Sequence, residues 1–389
     1  MITVSAMGLN CPLGCGLSDI AASLRCGVSP GMRSEAGELG CGWTLCLGHA
    51  ADPGGKDEVP AQLCEHASAN NRLLLSAWRQ LSAAAEEAAR HCGPGRFGII
   101  LGTSTSGLAE ADRYISSLRQ GRSAGGYRYA QQELGDPARF LSALMGSDGP
   151  AYTISTACTS SMAAVSSAMA LMEAGVIDAA LTGGCDTLNR MTISGFASLG
   201  LLSAERCMPF CRDRRGITIG EAAGLMLLTR GHGPLYLAGA GHGSDACHMS
   251  APHPGGRGAR EAIARALNAA GLAAGDIGYL SLHGTGTQLN DAVEAAVVSD
   301  LFAGTPCSSL KHLTGHTLGA AGICALILAC LILRDDMELP AQDFARSPRD
   351  EKLPPCRFVE GREHLHRDFV LCNAMAFGGS CAAVIAGRC

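Results

Sequence analysis

The chain passes the same three landmarks twice, in the same order, and this repeat constrains the fold more than any single motif. In the first pass, the apolar run Phe97-Gly-Ile-Ile-Leu101 exits into Gly102-Thr-Ser-Thr105 and a helix including Ala109 to Leu118. A second apolar run, Ala151 to Ala157, then leads to Cys158 and a helix over roughly Ser160 to Glu173 with a stop at Gly175. A third, Ala179-Ala-Leu-Thr182, ends in Gly183-Gly184. In the second pass, Ile277 to Leu282 exits into His283-Gly-Thr-Gly-Thr287 and a helix over Ala292 to Phe302. Cys307 to Leu310 then leads to Gly315-His316 and an apolar helix from Leu318, and Phe369 to Cys372 leads to Phe377-Gly378-Gly379. Alternating short strands and helices predict βα units of a mixed or parallel sheet covered by helices. Their repetition predicts a duplication, two α/β halves sharing one core. The pattern breaks at Gly231-His-Gly-Pro234, so the halves are expected to be 1–233 and 234–389.

Composition removes several function classes. A net charge of −5 gives no support to a nucleic-acid partner. The 19 cysteines do not read as a disulfide scaffold: the count is odd, and Met1-Ile-Thr-Val-Ser-Ala-Met-Gly-Leu9 lacks a secretory signal. Many lie in apolar runs, as Cys185, Cys324, Cys330 and Cys372 do, where a reduced thiol packs as a small hydrophobe. No CxxC pair occurs, so no metal is expected, and the compartment is read as cytoplasmic. Leu318 to Leu333 carries no charge, but it is shorter than the ~20 residues a membrane span needs, so a fully buried helix is expected.

Cys158 stands where a strand meets a helix N-terminus, a position that favours its thiolate. His283 and His316 are each flanked by glycine, which lets backbone approach a ligand closely. A thiolate with two imidazoles suits acyl transfer or carbon–carbon bond formation on thioesters.

Together, Thr156-Ala-Cys158-Thr-Ser-Ser161, His283-Gly-Thr-Gly-Thr287 with Asn290-Asp291, Lys311 with Gly315-His-Thr-Leu-Gly-Ala-Ala-Gly322, and Phe377-Gly378-Gly379 resemble the elongating β-ketoacyl-acyl-carrier-protein synthases. So does Pro209-Phe-Cys-Arg-Asp213 followed by Gly220-Glu221. The resemblance covers essentially the whole chain. It implies a thiolase-like fold, two α/β halves in five layers (α-β-α-β-α). It implies decarboxylative condensation of malonyl-carrier with an acyl group held on Cys158, in fatty acid or type II polyketide synthesis. Aryl polyene assembly is the specialised pathway it brings to mind.

The same resemblance gives His283 and His316 the decarboxylation step and sets Lys311 near the second histidine. It makes Glu294 the acidic partner of that network. The N–H groups of Cys158 and Phe377 would form the oxyanion hole, with Phe377 and Gly378 as the gate. No cofactor is implied beyond the phosphopantetheine arm of an acyl carrier protein. The carrier is one implied partner; the other is a second copy or a related ketosynthase or chain-length-factor subunit.

Carrier proteins are acidic, so Arg206, Arg212, Arg214 and Arg215 are docking candidates, with Arg72, Arg113 and Arg119 behind them. His248, His253, Asp213 and Glu221 are expected to be structural, and Met191 to Leu202 to wall the acyl tunnel. Three residues depart from the family pattern: Ala376 before the gate, Cys381 for asparagine and Gln288 for proline. Competing readings are a non-catalytic chain-length-factor-like subunit, disfavoured by Cys158, and a thiolase-type acyltransferase, disfavoured by Phe377.

Overall fold

The computed structural model describes residues 1–36, 42, 44–51, 58–123 and 125–389. The first half gives the main sheet β1 (Ile2–Cys11), β2 (Phe97–Gly102), β3 (Ala151–Ile154), β4 (Ala179–Asp186) and β5 (Ala222–Arg230). The second half gives β6 (Leu235–Ser244), β7 (Ile277–Ser281), β8 (Cys307–Ser308), β9 (Phe369–Met375) and β10 (Ser380–Arg388). In space they run β3-β2-β4-β5-β1 and β8-β7-β9-β10-β6, so each half places its strands in the order third, second, fourth, fifth, first. Directions match as well. The second strand is parallel to the third and fourth, and the fifth is antiparallel to the fourth and first. The halves join where β1 meets β6 through Ile2–Leu237 and Thr3–Tyr236.

Six helices matter for the site: α1 (Ala69–Trp78), α2 (Ser160–Glu173), α3 (Arg190–Ser198), α4 (Arg257–Ala270), α5 (Gln288–Leu301) and α6 (Ala321–Arg334). Helices α2 and α6 touch each other and strands of both halves, so they form the middle layer. Helix α1 covers the outside of the first sheet and α4 the outside of the second. This is the expected five-layer thiolase-like arrangement. Helix α6 has twelve buried residues among its fourteen, as an all-round apolar helix must in a soluble core. It starts later than the hydropathy suggests, because Leu318 takes a left-handed φ of 53° and the chain makes a 3-10 turn before the helix. No helix of the described residues is long and apolar enough to cross a membrane.

Two glycines set the close approach of the middle layer. A Cβ on Gly102, at the end of β2, would lie 2.3 Å from the Ser161 amide nitrogen. A Cβ on Gly322 would lie 2.5 Å from Met162 Cγ, where α6 meets α2. Both helix N-termini are thereby drawn to one point, the carboxyl ends of the parallel strands. The cysteines of the described residues are free thiols, many of them buried.

Candidate active site

Strand β3 stops at Ile154, three residues short of the sequence expectation, because the chain leaves the sheet to form an elbow. Ala157 has φ 52°, a left-handed conformation costing a non-glycine residue roughly 1–2 kcal/mol. The elbow aims Cys158 into the space between the halves. At the equivalent place in the second half, Gly315 has φ 63° and turns His316 toward it. His316 Nε2 lies 3.1 Å from Cys158 Sγ. The His283 ring stands edge-on to that of His316, with centroids 5.2 Å apart.

Each ring is held by its other nitrogen. The Leu318 N–H donates to His316 Nδ1 at 3.2 Å. The Lys311 ammonium faces His283 Nδ1 at 3.4 Å and donates to the His283 carbonyl. A nitrogen facing a donor must be the acceptor, so in both neutral rings the proton sits on Nε2. Burial, with the Lys311 charge, drives both imidazoles well below their ordinary pKa; His316 adds to the effect on His283. The site therefore presents two neutral N–H donors at physiological pH. Lys311 bonds to the first histidine, and its charge also acts on the second, near which the resemblance set it.

Glu294, from α5, is fully buried and accepts the His283 and Gly284 N–H groups, both at 2.6 Å. The Asn373 amide donates to the same carboxylate at 2.9 Å. Burial pushes Glu294 up to about 7, against those three donors. Asp291 on the same helix accepts the Thr285, Gly286 and Phe210 N–H groups and so shapes the rest of the loop.

The expected neutral-pH thiolate is not met in the closed site. Burial pushes the Cys158 thiol up to about 11, outweighing the Lys311 charge and the Phe377 and Cys158 amides, which pull it down. Those two amides act on the sulfur from close by. Gly378 is not a third donor: its N–H is taken by the Met249 carbonyl at 2.7 Å, and its φ of 83° makes it the turn of the gate loop. The Asp245 N–H donates to the Gly379 carbonyl at 2.8 Å, a second tie between that loop and the 245–250 segment. The Phe377 ring packs on Phe196 of α3, with centroids 5.5 Å apart.

A cavity of about 240 Å³ opens onto Cys158, His283 and His316 between these groups. Ligand-type atoms of the three residues lie within 4.8 Å of one another, a spacing that also suits an ion. The ammonium of Lys311 beside His283 opposes a dication there.

Two family models match the chain: the N-terminal domain of β-ketoacyl synthase over residues 56–232 and its C-terminal domain over 236–344. One chain of a solved complex from Xenorhabdus doucetiae, a ketosynthase (ApeO) with its chain length factor (ApeC), is 49% identical. It superposes with a TM-score of 0.97 over 100% of this chain and 98% of that one. The chain belongs to the β-ketoacyl synthase family. The 3-oxoacyl-[acyl-carrier-protein] synthase 2 of Mycobacterium bovis is 34% identical over 251 residues, which span 60% of this chain and 60% of that protein. The Synechocystis protein of the same name is 27% identical over 97% of this chain and 95% of its own length.

Within this chain the candidate arginines separate. Arg214 is 4% exposed and bonds to Asp350 at 2.6 Å, with Asp291 at 3.6 Å. It is a buried tie between the halves, which removes it from any docking surface. Arg206 is half-buried on a separate hollow of about 990 Å³ that shares no lining residue with the catalytic cavity. Arg212 and Arg215 are exposed, and Arg215 lines the catalytic cavity itself. Arg72 and Arg113 are engaged by Glu110. Gln288 donates to the Arg214 carbonyl at 2.9 Å and so steadies the loop carrying Arg215. Glu221 accepts the Ala50 and Leu188 amides, and Asp213 bonds to Ser347, both as loop supports. His248 and His253 accept backbone N–H groups in their own loop. Ala376 is extended, and its N–H donates to the Ser380 carbonyl at 2.8 Å; Cys381 is buried in β10.

Two residues escaped the sequence reading. Phe196 lay inside the expected tunnel wall but was not singled out. Asn373 had a signal that was available: an amide inside the apolar run Phe369-Val-Leu-Cys-Asn-Ala-Met375 must find a partner when buried.

Proposed function

We propose that this protein is an elongating ketosynthase that condenses malonyl-carrier with an acyl group held on Cys158. The observation that carries the reading is the pair of neutral Nε2–H donors converging on the Cys158 sulfur. In the first step the sulfur of Cys158 displaces the carrier thiol from the acyl thioester, and the cysteine's proton leaves with that thiol. Malonyl-carrier then enters and loses CO2. The electron pair of the broken bond passes into the thioester as an enolate, whose oxygen accepts the N–H groups of His283 and His316. The enolate carbon attacks the acyl–Cys158 carbonyl. The tetrahedral oxyanion accepts the Cys158 and Phe377 amides, and its collapse releases the cysteine as a thiolate, which takes a proton from water to restore the thiol. The first half of the chain, 1–233, gives the nucleophile and the second, 234–389, gives both histidines and the gate.

An acyl carrier protein is the substrate-bearing partner, with Arg212 and Arg215 as its basic contacts. The reading extends to a heterodimer with a related chain-length-factor subunit in the cytoplasm, within a specialised type II pathway such as aryl polyene assembly. Support comes from the 49% identity to a chain of a solved ketosynthase and chain-length-factor complex. Strand β3 is one end of the main sheet, and Ile115, Leu118, Met191 and Leu199 are exposed on or beside α3 and the helix Leu108–Arg119 that touches it.

Intact-protein mass after incubation with a panel of acyl-carrier thioesters tests the proposal. Loading of the wild type but not of Cys158→Ala is expected. No loading from any donor, alone or with a partner subunit, would sink it.

A further inference from the structure

The carboxylate of Glu294 has only donors around it. Two are the amides of His283 and Gly284, which fix the backbone that carries the first catalytic imidazole. The third is Asn373 Nδ2, from the end of β9. Asn373 is 7% exposed, and its Oδ1 is buried without a hydrogen-bond partner. A buried amide normally satisfies both ends. Here the oxygen is left empty, so the Nδ2 donation is the interaction this side chain makes at the site.

On the ketosynthase reading above, we propose that Asn373 is a positioning residue that holds the Glu294 carboxylate ionised and oriented, and through it the His283 imidazole. The chain of contact runs from the amide of β9 to the carboxylate of α5 to the backbone of the β7 exit loop. Lys311 completes the clamp from the other side, gripping the carbonyl and Nδ1 of the same histidine. The remaining titratable and charged groups that act on Glu294 are Asp291 on its own helix, Lys311, and the thiols Cys307, Cys356 and Cys381. Protonating Glu294 would set an O–H against the Asn373 Nδ2 donor, a conflict relieved only if the amide turns and offers its unpartnered Oδ1. Burial already holds this group at about 7, so loss of one donor moves it across the physiological range.

The test separates the step that needs His283 from the step that does not. CO2 release from malonyl-carrier is followed from pH 6 to 9, beside acyl loading of Cys158 by mass, for the full-length wild type, Asn373→Leu and Asn373→Asp. Asn373→Leu should lower CO2 release about ten- to hundredfold while loading changes by less than about twofold. The aspartate variant should respond oppositely to the wild type. Wild-type CO2 release falls as pH drops through about 7, because Glu294 protonates. In Asn373→Asp a shared proton restores the donor, so release is best at acid pH and falls as pH rises.

Wild-type rates and pH profile in both variants would overturn the proposal. So would equal losses in loading and CO2 release, or unfolding of both variants, since each makes Asn373 merely structural. A wild type that neither loads nor releases CO2 would instead sink the ketosynthase reading.

Discussion

Cys158 and His316 stand at corresponding places in the two halves. Each follows the third strand of its half, each is preceded by a residue with positive φ, and each heads a helix of the middle layer. The first half puts an alanine in that strained position and a thiol after it; the second puts a glycine and an imidazole. Duplication thus set two equivalent elbows face to face, and their divergence made a reacting pair 3.1 Å apart. The second-strand exits diverged similarly. In the first half, Asp186 from β4 gathers the Ser104 and Thr105 amides and the Thr103 and Thr105 hydroxyls. In the second half, a helix supplies the carboxylate, Glu294, and Asn373 stands near the end of the fourth strand to support it. On the proposal above, a carboxylate clamp that only shapes a loop became one that also positions an imidazole.

Removing the reacting atoms tests this comparison most severely. Cys158→Ala should lower condensation by on the order of a thousandfold or more. His316→Ala should lower CO2 release by about 10²–10³ while sparing loading more than Cys158→Ala does. If His316→Ala leaves CO2 release unchanged, the two elbows are not a reacting pair. Next comes the tie between the halves. Arg214→Ala leaves Asp350 and Asp291 facing each other's space without their cation, and should cost about 3–5 kcal/mol in denaturant unfolding. The exposed Arg212→Ala should stay within about 0.5 kcal/mol. Effects smaller than the loss of Arg214 distinguish the elbows themselves. Gly315→Ala should destabilise by about 1–2 kcal/mol, because a Cβ there is strained and sits 3.0 Å from the Gly220 nitrogen. Ala157→Gly relieves strain but frees the unfolded chain, so melting should move by less than about 1 kcal/mol in either direction.

The repeated landmarks in the sequence anticipated two α/β halves of like make-up, and the strand exits and helix starts beside which Cys158, His283 and His316 stand. They could do so because strand exits and helix starts are local, marked by Gly, Ser and Thr within a few residues. What they missed depends on contacts between distant segments. Nothing near Lys311 tells that its ammonium bends toward His283 rather than His316. Arg212, Arg214 and Arg215 look alike as a basic cluster, yet Asp350, 136 positions away, draws the middle one into the core. The Cys158 thiol illustrates a competition of magnitudes. A helix start is visible in sequence, but the burial that outweighs it comes from the opposite half.

Because the site is split between the halves, the order of synthesis matters. A ribosome delivers the thiol of Cys158 more than a hundred residues before either imidazole, since His283 and His316 both lie in the second half. On the proposed function, a nascent first half therefore holds the nucleophile with no enolate-stabilising groups beside it. Docking of the second half assembles the reaction centre in one event, so maturation of the fold and onset of chemistry coincide.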